Sequence, residues 1–201
     1  MANVTGESAE TVSDQLTAVW NNFYDGSKSL EYYADVMTAL GAATASSTDE
    51  ISDGLEKFAA TAGTVGLSYE YATSALATVT AETRQSADVV GTAFRTLFTR
   101  IQGLQLGKTD EDGTTLNKYS EALNAVGVDI KTTSGELKSM DSILAELGDR
   151  WGKLSKDTQV ALAQTVGGAR QYTTLISLMD NWGKFQENLE VANTAEGSLQ
   201  E

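Results

Sequence analysis

The sequence of 201 residues contains no histidine, no cysteine and no proline. Without histidine, the chain lacks the most common general base, a common metal ligand and the side chain that titrates near neutral pH. Without cysteine, disulfides and thiolate metal sites are excluded. Average usage would give about ten prolines in a chain of this length. Their absence beside 18 glycines predicts long helices that are separated by glycine turns.

Basic residues are also scarce, since 14 Lys and Arg stand against 28 Asp and Glu and the net charge is −14. An acidic surface repels phosphate groups, so we expect this segment to bind neither nucleic acid nor anionic lipid. The charge has two interpretations, solubility and complementarity to a basic partner. No stretch approaches the roughly 18 apolar residues that span a bilayer. The first residues lack the basic and apolar parts of a signal peptide.

Apolar residues recur at helical spacing along nearly the whole chain. This pattern predicts an all-α fold, a multi-helix array of about nine amphipathic helices joined by glycine turns. Glycines such as Gly26 and Gly127 end several of the apolar stripes. Ser47 and Glu50 have the spacing of a capping box, which marks a helix start. Further serine N-caps are predicted at Ser68, Ser86 and Ser155.

The chain is expected to divide at a polar loop. We predict an N-terminal helical region over residues 1–102, the loop over residues 103–115 and a C-terminal helical region over residues 116–201. Exposed polar loops of this kind are preferred sites of proteolysis. One departure from helix is expected, a small β-hairpin near residues 126–138, where apolar and polar residues alternate. A two-stranded hairpin by itself is only marginally stable.

Three short motifs imitate reactive sites but differ from them in detail. Residues 103–109 have three residues between their glycines, where a phosphate-binding loop has four. The acidic residues 110–113 imitate a calcium loop, but Tyr119 stands where its bidentate glutamate is needed; a weak surface cation site remains an alternative. Glu7-Ser8 is similar to the pair in helical lytic transglycosylases but lies at a polar terminus, not in an apolar pocket. We therefore expect no catalytic residue, no cofactor and no metal site.

Four larger side chains have both a structural and a functional interpretation. Trp20, Trp151 and Trp182 lie on apolar helical stripes, which favours core positions over platforms for a sugar or a partner. Arg170 follows Gly167-Gly168 at the start of a helix, where the helix dipole disfavours a cation. An ion pair to a nearby carboxylate or a neighbouring helix end would compensate it, and a contact to another subunit is the alternative.

The tract Trp151–Leu189 is the most specific part of the sequence. Two amphipathic helices meet at Gly167-Gly168, the second begins Ala-Arg-Gln-Tyr, and a Leu/Met-rich stretch leads to Asn181-Trp182. This element resembles the tail tape measure proteins of bacteriophages and prophages. Residues 86–104, with a Val-Gly-x-Ala-Phe-x-Thr core and an Arg-Ile ending, are similar to a helix of the same family.

The resemblance extends to neighbouring tracts. Residues 48–82 and 116–151 resemble the segments that flank that helix, so the resemblance covers about residues 12–189. Family members are usually much longer, which implies that the chain is a fragment of one. The polar end after Glu196 carries no helix stop signal, as a cut inside an element would leave it.

The resemblance implies a structural, non-enzymatic protein in the lumen of the phage tail tube, whose length sets the length of the tail. The protein would reside in the virion and, during assembly, in the host cytoplasm. Its implied partners are further copies of itself, tail tube proteins, tail-tip proteins and assembly chaperones. The acidic surface would then complement a basic tube lining or a basic partner.

An extended helical chain can measure length because a helix rises by about 1.5 Å per residue. Short helices with glycine turns make a poor rigid rod. The segment is therefore either a compact region or one that straightens into longer helices inside the tube. Two other functions remain alternatives, namely a peptidoglycan-cleaving tail-associated domain and a helical scaffold or interaction module of a secretion or surface system.

Overall fold

The computed structural model describes residues 9–102 and 117–196, and the all-α prediction is confirmed. Within these ranges the chain forms nine helices and no β-sheet. The helices are α1 (Ala9–Phe23), α2 (Leu30–Ala43), α3 (Thr48–Thr64), α4 (Tyr69–Thr83), α5 (Ala87–Gln102), α6 (Asn117–Ala125), α7 (Met140–Trp151), α8 (Lys156–Asp180) and α9 (Trp182–Asn193).

The predicted N-caps lie at the helix starts. Ser47 and Glu50 form the capping box, in which the Ser47 amide donates to the Glu50 carboxylate over 2.8 Å and the Glu50 amide donates to the Ser47 hydroxyl over 3.2 Å. Ser68 and Ser155 each accept the amide of the third residue that follows them. Helix α5 begins directly after Ser86. Local side-chain chemistry therefore sets these boundaries.

The chain divides into two compact units. One comprises Met1–Thr92 and Asn181–Glu201, and the other comprises Ala93–Asp180. The chain passes from one unit to the other within α5 and again between α8 and α9. The boundary that the sequence predicts, at residues 103–115, lies outside the described residues, so the division into residues 1–102 and 116–201 stays a prediction.

Helix α4 lies at the centre of the first unit and is buried on nearly all sides. Two of its buried hydroxyls are satisfied within the helix, because Thr73 and Thr78 donate to carbonyls four residues earlier over 2.6 and 2.7 Å. Helix α9 packs on α4 although it follows more than a hundred residues later in the sequence. The Phe185 ring lies 4.7 Å from the Tyr71 ring, and the Asn188 amide donates to the Thr78 hydroxyl over 2.8 Å. Small and hydroxyl-bearing residues thus let several helices surround α4.

An aromatic cluster joins α1, α2 and α4 at one end of this unit. The rings of Tyr33 and Tyr69 lie 4.8 Å apart, and the ring of Phe23 lies 5.6 Å from that of Tyr69. The Tyr69 hydroxyl donates to the Tyr33 carbonyl over 2.7 Å. Burial raises the pKa of Tyr69 well above its usual value. The hydroxyl therefore stays protonated and keeps its donor role at all ordinary pH values.

One prediction in the second half of the chain needs correction. The hairpin expected near residues 126–138 is present only as one antiparallel bridge between Lys131 and Leu137. Helix α7 begins at Met140, so few residues remain for a second strand. The structure separates α8 from α9 at Asn181, whose φ of −109° and ψ of 27° are not helical.

Helices α3 and α5 approach each other closely at Gly54 and Gly91. A Cβ atom at Gly91 would overlap the backbone carbonyl oxygen of Gly54. We expect Gly91→Ala to lower the free energy of unfolding by about 1–3 kcal/mol, because a backbone atom cannot move aside as a side chain can. Urea denaturation followed by circular dichroism measures this change.

Gly183→Ala is the matched control, since this helical glycine of α9 has no atom within 4 Å of the added Cβ. We expect this change to leave the stability unchanged or to raise it by up to about 1 kcal/mol. Equal effects of the two substitutions would contradict the close approach of α3 and α5.

Candidate functional site: the turn in helix α8

Helix α8 is folded back on itself at a single residue. Its only residue with non-helical angles is Gly168, whose φ is 71° and ψ is 174°, a region that is essentially restricted to glycine. A straight helix of 25 residues would hold its ends about 36 Å apart. Yet Lys156 Nζ, at the start, lies 3.6 Å from Asp180 Oδ2, at the end. The prediction that two helices meet at Gly167-Gly168 is confirmed, and the two halves form a helical hairpin.

Gly167 permits the sharpness of this turn. A Cβ atom there would lie 2.9 Å from the Cα atom and 3.0 Å from the amide nitrogen of Tyr172, and 3.2 Å from the Leu97 side chain. The first turn of the second half therefore lies directly against Gly167. Side chains larger than hydrogen are excluded at both glycines, at Gly168 by its backbone angles and at Gly167 by crowding.

Arg100, near the end of α5, contacts the turn. Its guanidinium donates to the carbonyl of Val166 over 3.3 Å. That carbonyl belongs to the end of the first half of α8, where carbonyls lack helical partners and the dipole favours a cation. The same guanidinium lies over the Tyr119 ring, 5.9 Å from its centroid, within the range of a cation–π contact. Arg100 thus connects α5 and α6 to the turn.

The open end of the hairpin is held by the Asp180 clasp, which we define as Asp180, Trp151 and Lys156. The Trp151 indole donates to Asp180 Oδ1 over 2.6 Å, and the Lys156 ammonium lies 3.6 Å from Oδ2. Gln159 adds a hydrogen bond of 2.7 Å to the Trp151 carbonyl. One carboxylate therefore ties the end of α7 to both ends of α8.

The three tryptophans are wholly or partly buried, as the core interpretation predicts, but the buried fraction differs between them. Trp151 is 2% exposed and Trp182 is 9% exposed. Trp20 is half-buried, and its ring stacks on that of Tyr24 at 3.7 Å. Trp151 has a second role that its apolar stripe does not indicate, as the donor to Asp180.

Arg170 is exposed, and no carboxylate of the described residues lies within ion-pair distance of it. The ion pair that the sequence suggests is thus not formed within the described part of the chain, and a subunit contact stays a prediction. Arg100 contacts the turn instead. The sequence pattern did not single out Arg100 or Asp180 as functional residues. Both lie in tracts that carry the family resemblance: Arg100 is in the Arg-Ile ending, and Asp180 directly precedes Asn181-Trp182.

The motifs that imitate reactive sites, at residues 103–109, at residues 110–113 and at Glu7-Ser8, lie outside the described residues. Within residues 9–102 and 117–196, no group of three or more acidic side chains is placed to hold a metal ion. None of the helices described is long and apolar enough to cross a membrane. The contacts at the turn in α8 fix the path of the backbone and join α5, α6 and α8.

Comparison with known proteins places most of the chain in one family. Residues 1–168 match the family model described as phage-related minor tail protein. The match ends at Gly168, the residue at which α8 turns back. No solved structure matches the chain.

Replacement of the clasp carboxylate tests its structural role. Asp180→Asn removes the ion pair to Lys156 and weakens the hydrogen bond from Trp151. Because 39% of the Asp180 side chain is exposed, solvent reduces the effect, and we expect a loss of about 1 kcal/mol in the free energy of unfolding. Urea denaturation followed by tryptophan fluorescence measures it.

Asp88→Asn provides the control, since Asp88 forms a surface ion pair of 3.4 Å with Lys57 and 65% of its side chain is exposed. We expect a change below about 0.5 kcal/mol. If Asp180→Asn were no more destabilising than Asp88→Asn, the clasp would not hold the hairpin.

Proposed function

Because the chain belongs to the phage-related minor tail protein family, its role is a structural one in the phage tail, and we propose that it is a segment of a tail tape measure protein. In this role the chain would lie in the lumen of the tail tube and set the tube length. The family match supports the place in the tail and in the virion. The finer proposal is supported by the resemblance of the turn at residues 167–172 and of the preceding tracts.

The contacts of those tracts support a structural role. Arg100, from one tract that carries the resemblance, donates to Val166 in another. Trp151 opens the second tract and donates to Asp180 near its end. The resembling tracts therefore contact one another at the turn in α8 and at the Asp180 clasp. Contacts of this kind hold helices together.

Helical content and charge support the same proposal. If all 201 residues became helical, the segment would span about 300 Å, so each part of it could contribute to a measured length. The net charge of −14 would be complementary to a basic tube lining or a basic partner and disfavours DNA. The proposed partners are further copies of the chain, tail tube proteins, tail-tip proteins and assembly chaperones.

The length of assembled tails tests the tape measure proposal. A phage whose gene carries a tandem duplication of this segment should form tails that are longer by up to about 1.5 Å for each added residue, because an extended helix has that rise. A deletion of the same segment should shorten them correspondingly. Negative-stain electron microscopy of purified particles measures both changes, and a synonymously recoded gene is the control.

Tails of unchanged length that contain the lengthened protein would contradict the proposal. The result would also distinguish tape measure function from another structural role in the tail, in which added residues leave the length unaltered. Clearing of peptidoglycan by the purified protein in a zymogram would instead favour the enzymatic alternative.

The proposed lengthening of helices in the tail makes a separate prediction at the glycine turns. Gly66, which follows α3, has a φ of 77°, a value that strains alanine and excludes proline. In a continuous helix alanine is favourable, whereas proline removes a hydrogen bond and breaks the helix. We therefore expect Gly66→Ala to preserve tail length and Gly66→Pro to impair it. Equal tolerance of both in the tail-length assay would count against lengthening.

A further inference from the structure

We propose that Gly167-Gly168 is a hinge at which α8 converts between the folded-back hairpin and one continuous helix, and that the Asp180 clasp holds the folded-back form. The hinge is a property of the chain itself and does not require its role in the tail. It would act in the purified protein.

The two forms of α8 differ in the backbone angles of one residue, Gly168. All residues of α8 except Gly168 already have helical angles. The chain contains no proline, so every amide in this region can donate in a continuous helix. Val166, whose carbonyl accepts from Arg100 in the hairpin, would accept from the Arg170 amide four residues later. The conversion therefore exchanges backbone partners without leaving that carbonyl unsatisfied.

The contacts that favour the hairpin are specific to it. In a continuous helix the ends of α8 would lie about 36 Å apart, so Lys156 could no longer reach Asp180. For the same reason the carboxylate could not contact both Lys156 and Trp151, as it does in the hairpin. The Asp180 clasp and the Arg100 contact thus stabilise one form and are absent from the other.

The apolar faces of the two halves explain why the hairpin is the form observed. The buried side chains of the first half include Leu162 and Val166, and those of the second half include Leu175, Leu178 and Met179. At 100° per residue, the two faces would point roughly 140° apart on a continuous helix. A single helix of this kind buries both faces only when other helices pack on two sides. The isolated chain therefore favours the hairpin.

The two glycines allow the balance to be shifted by substitution. Alanine at Gly168 is strained at a φ of 71°, and alanine at Gly167 would crowd the backbone of Tyr172. In a continuous helix both positions accept alanine, which has the highest helix propensity. The double variant G167A/G168A therefore penalises the hairpin and favours the continuous helix.

The absence of native cysteine permits a direct distance measurement. Asp157 and Thr173 are exposed and lie in opposite halves of α8, so Asp157→Cys and Thr173→Cys can carry spin labels. Their Cα atoms would be about 24 Å apart in a continuous helix and much closer in the hairpin. In pulsed electron double resonance, we expect the short distance to dominate in the labelled parent. The long-distance population should rise about tenfold in G167A/G168A.

Two further variants make the result decisive. Gly183→Ala, in α9, meets no neighbouring atom and should leave the distance distribution unchanged. Asp180→Asn weakens the clasp without adding backbone strain and should also raise the long-distance population. If the double variant does not fold, the distance distribution of Asp180→Asn alone tests the hinge. A distribution that stays entirely short in every variant that folds, or a loss of helical circular dichroism without the long distance, would overturn the hinge.

Discussion

The second unit depends on the backbone reversal at Gly168. Only a residue without Cβ readily adopts a φ of 71° with a ψ of 174°. Because the chain reverses there, Lys156 and Asp180 meet although they stand at opposite ends of α8. The same reversal places the Val166 carbonyl where Arg100 can donate to it. The polar contacts of the turn are therefore consequences of one permitted backbone conformation.

Glycine has a second role in the first unit, where it permits close approach between helices. A side chain at Gly91 would overlap the backbone of Gly54, so α3 and α5 can be neighbours at this distance only with glycine at the crossing. In α4, the hydroxyls of Thr73 and Thr78 donate to carbonyls of their own helix, so these two polar side chains are buried with their donors satisfied. The chain thus builds its contacts from small and hydroxyl-bearing residues as well as from large apolar ones.

Features that depend on nearby residues were predictable from the sequence. The helix starts at Ser47 and Ser155 follow from side chains that cap amides within three residues, and the meeting of two helices at Gly167-Gly168 follows from the paired glycines. The direction of the turn was not predictable, because Arg100 contacts Val166 across 66 positions of sequence and helical periodicity contains no information about such pairs.

The same distinction explains why the sequence directed attention to Arg170. A cation at a helix start is a local anomaly that a pattern reveals, whereas Arg100 lies in a regular amphipathic helix and gives no such signal. Its role becomes visible only in the folded chain, where the turn in α8 lies against it.

The choice of glycine over proline at the turns bears on a length-measuring role. Proline would fix a bend, because its ring excludes a continuous helix whatever the partners present. Glycine permits the bend and permits the helix, at a cost of about 1 kcal/mol per residue relative to alanine. A chain with 18 glycines and no proline can therefore be compact in isolation and longer where neighbouring helices cover its apolar faces. Partner contacts, and not covalent structure, would then decide which form is populated.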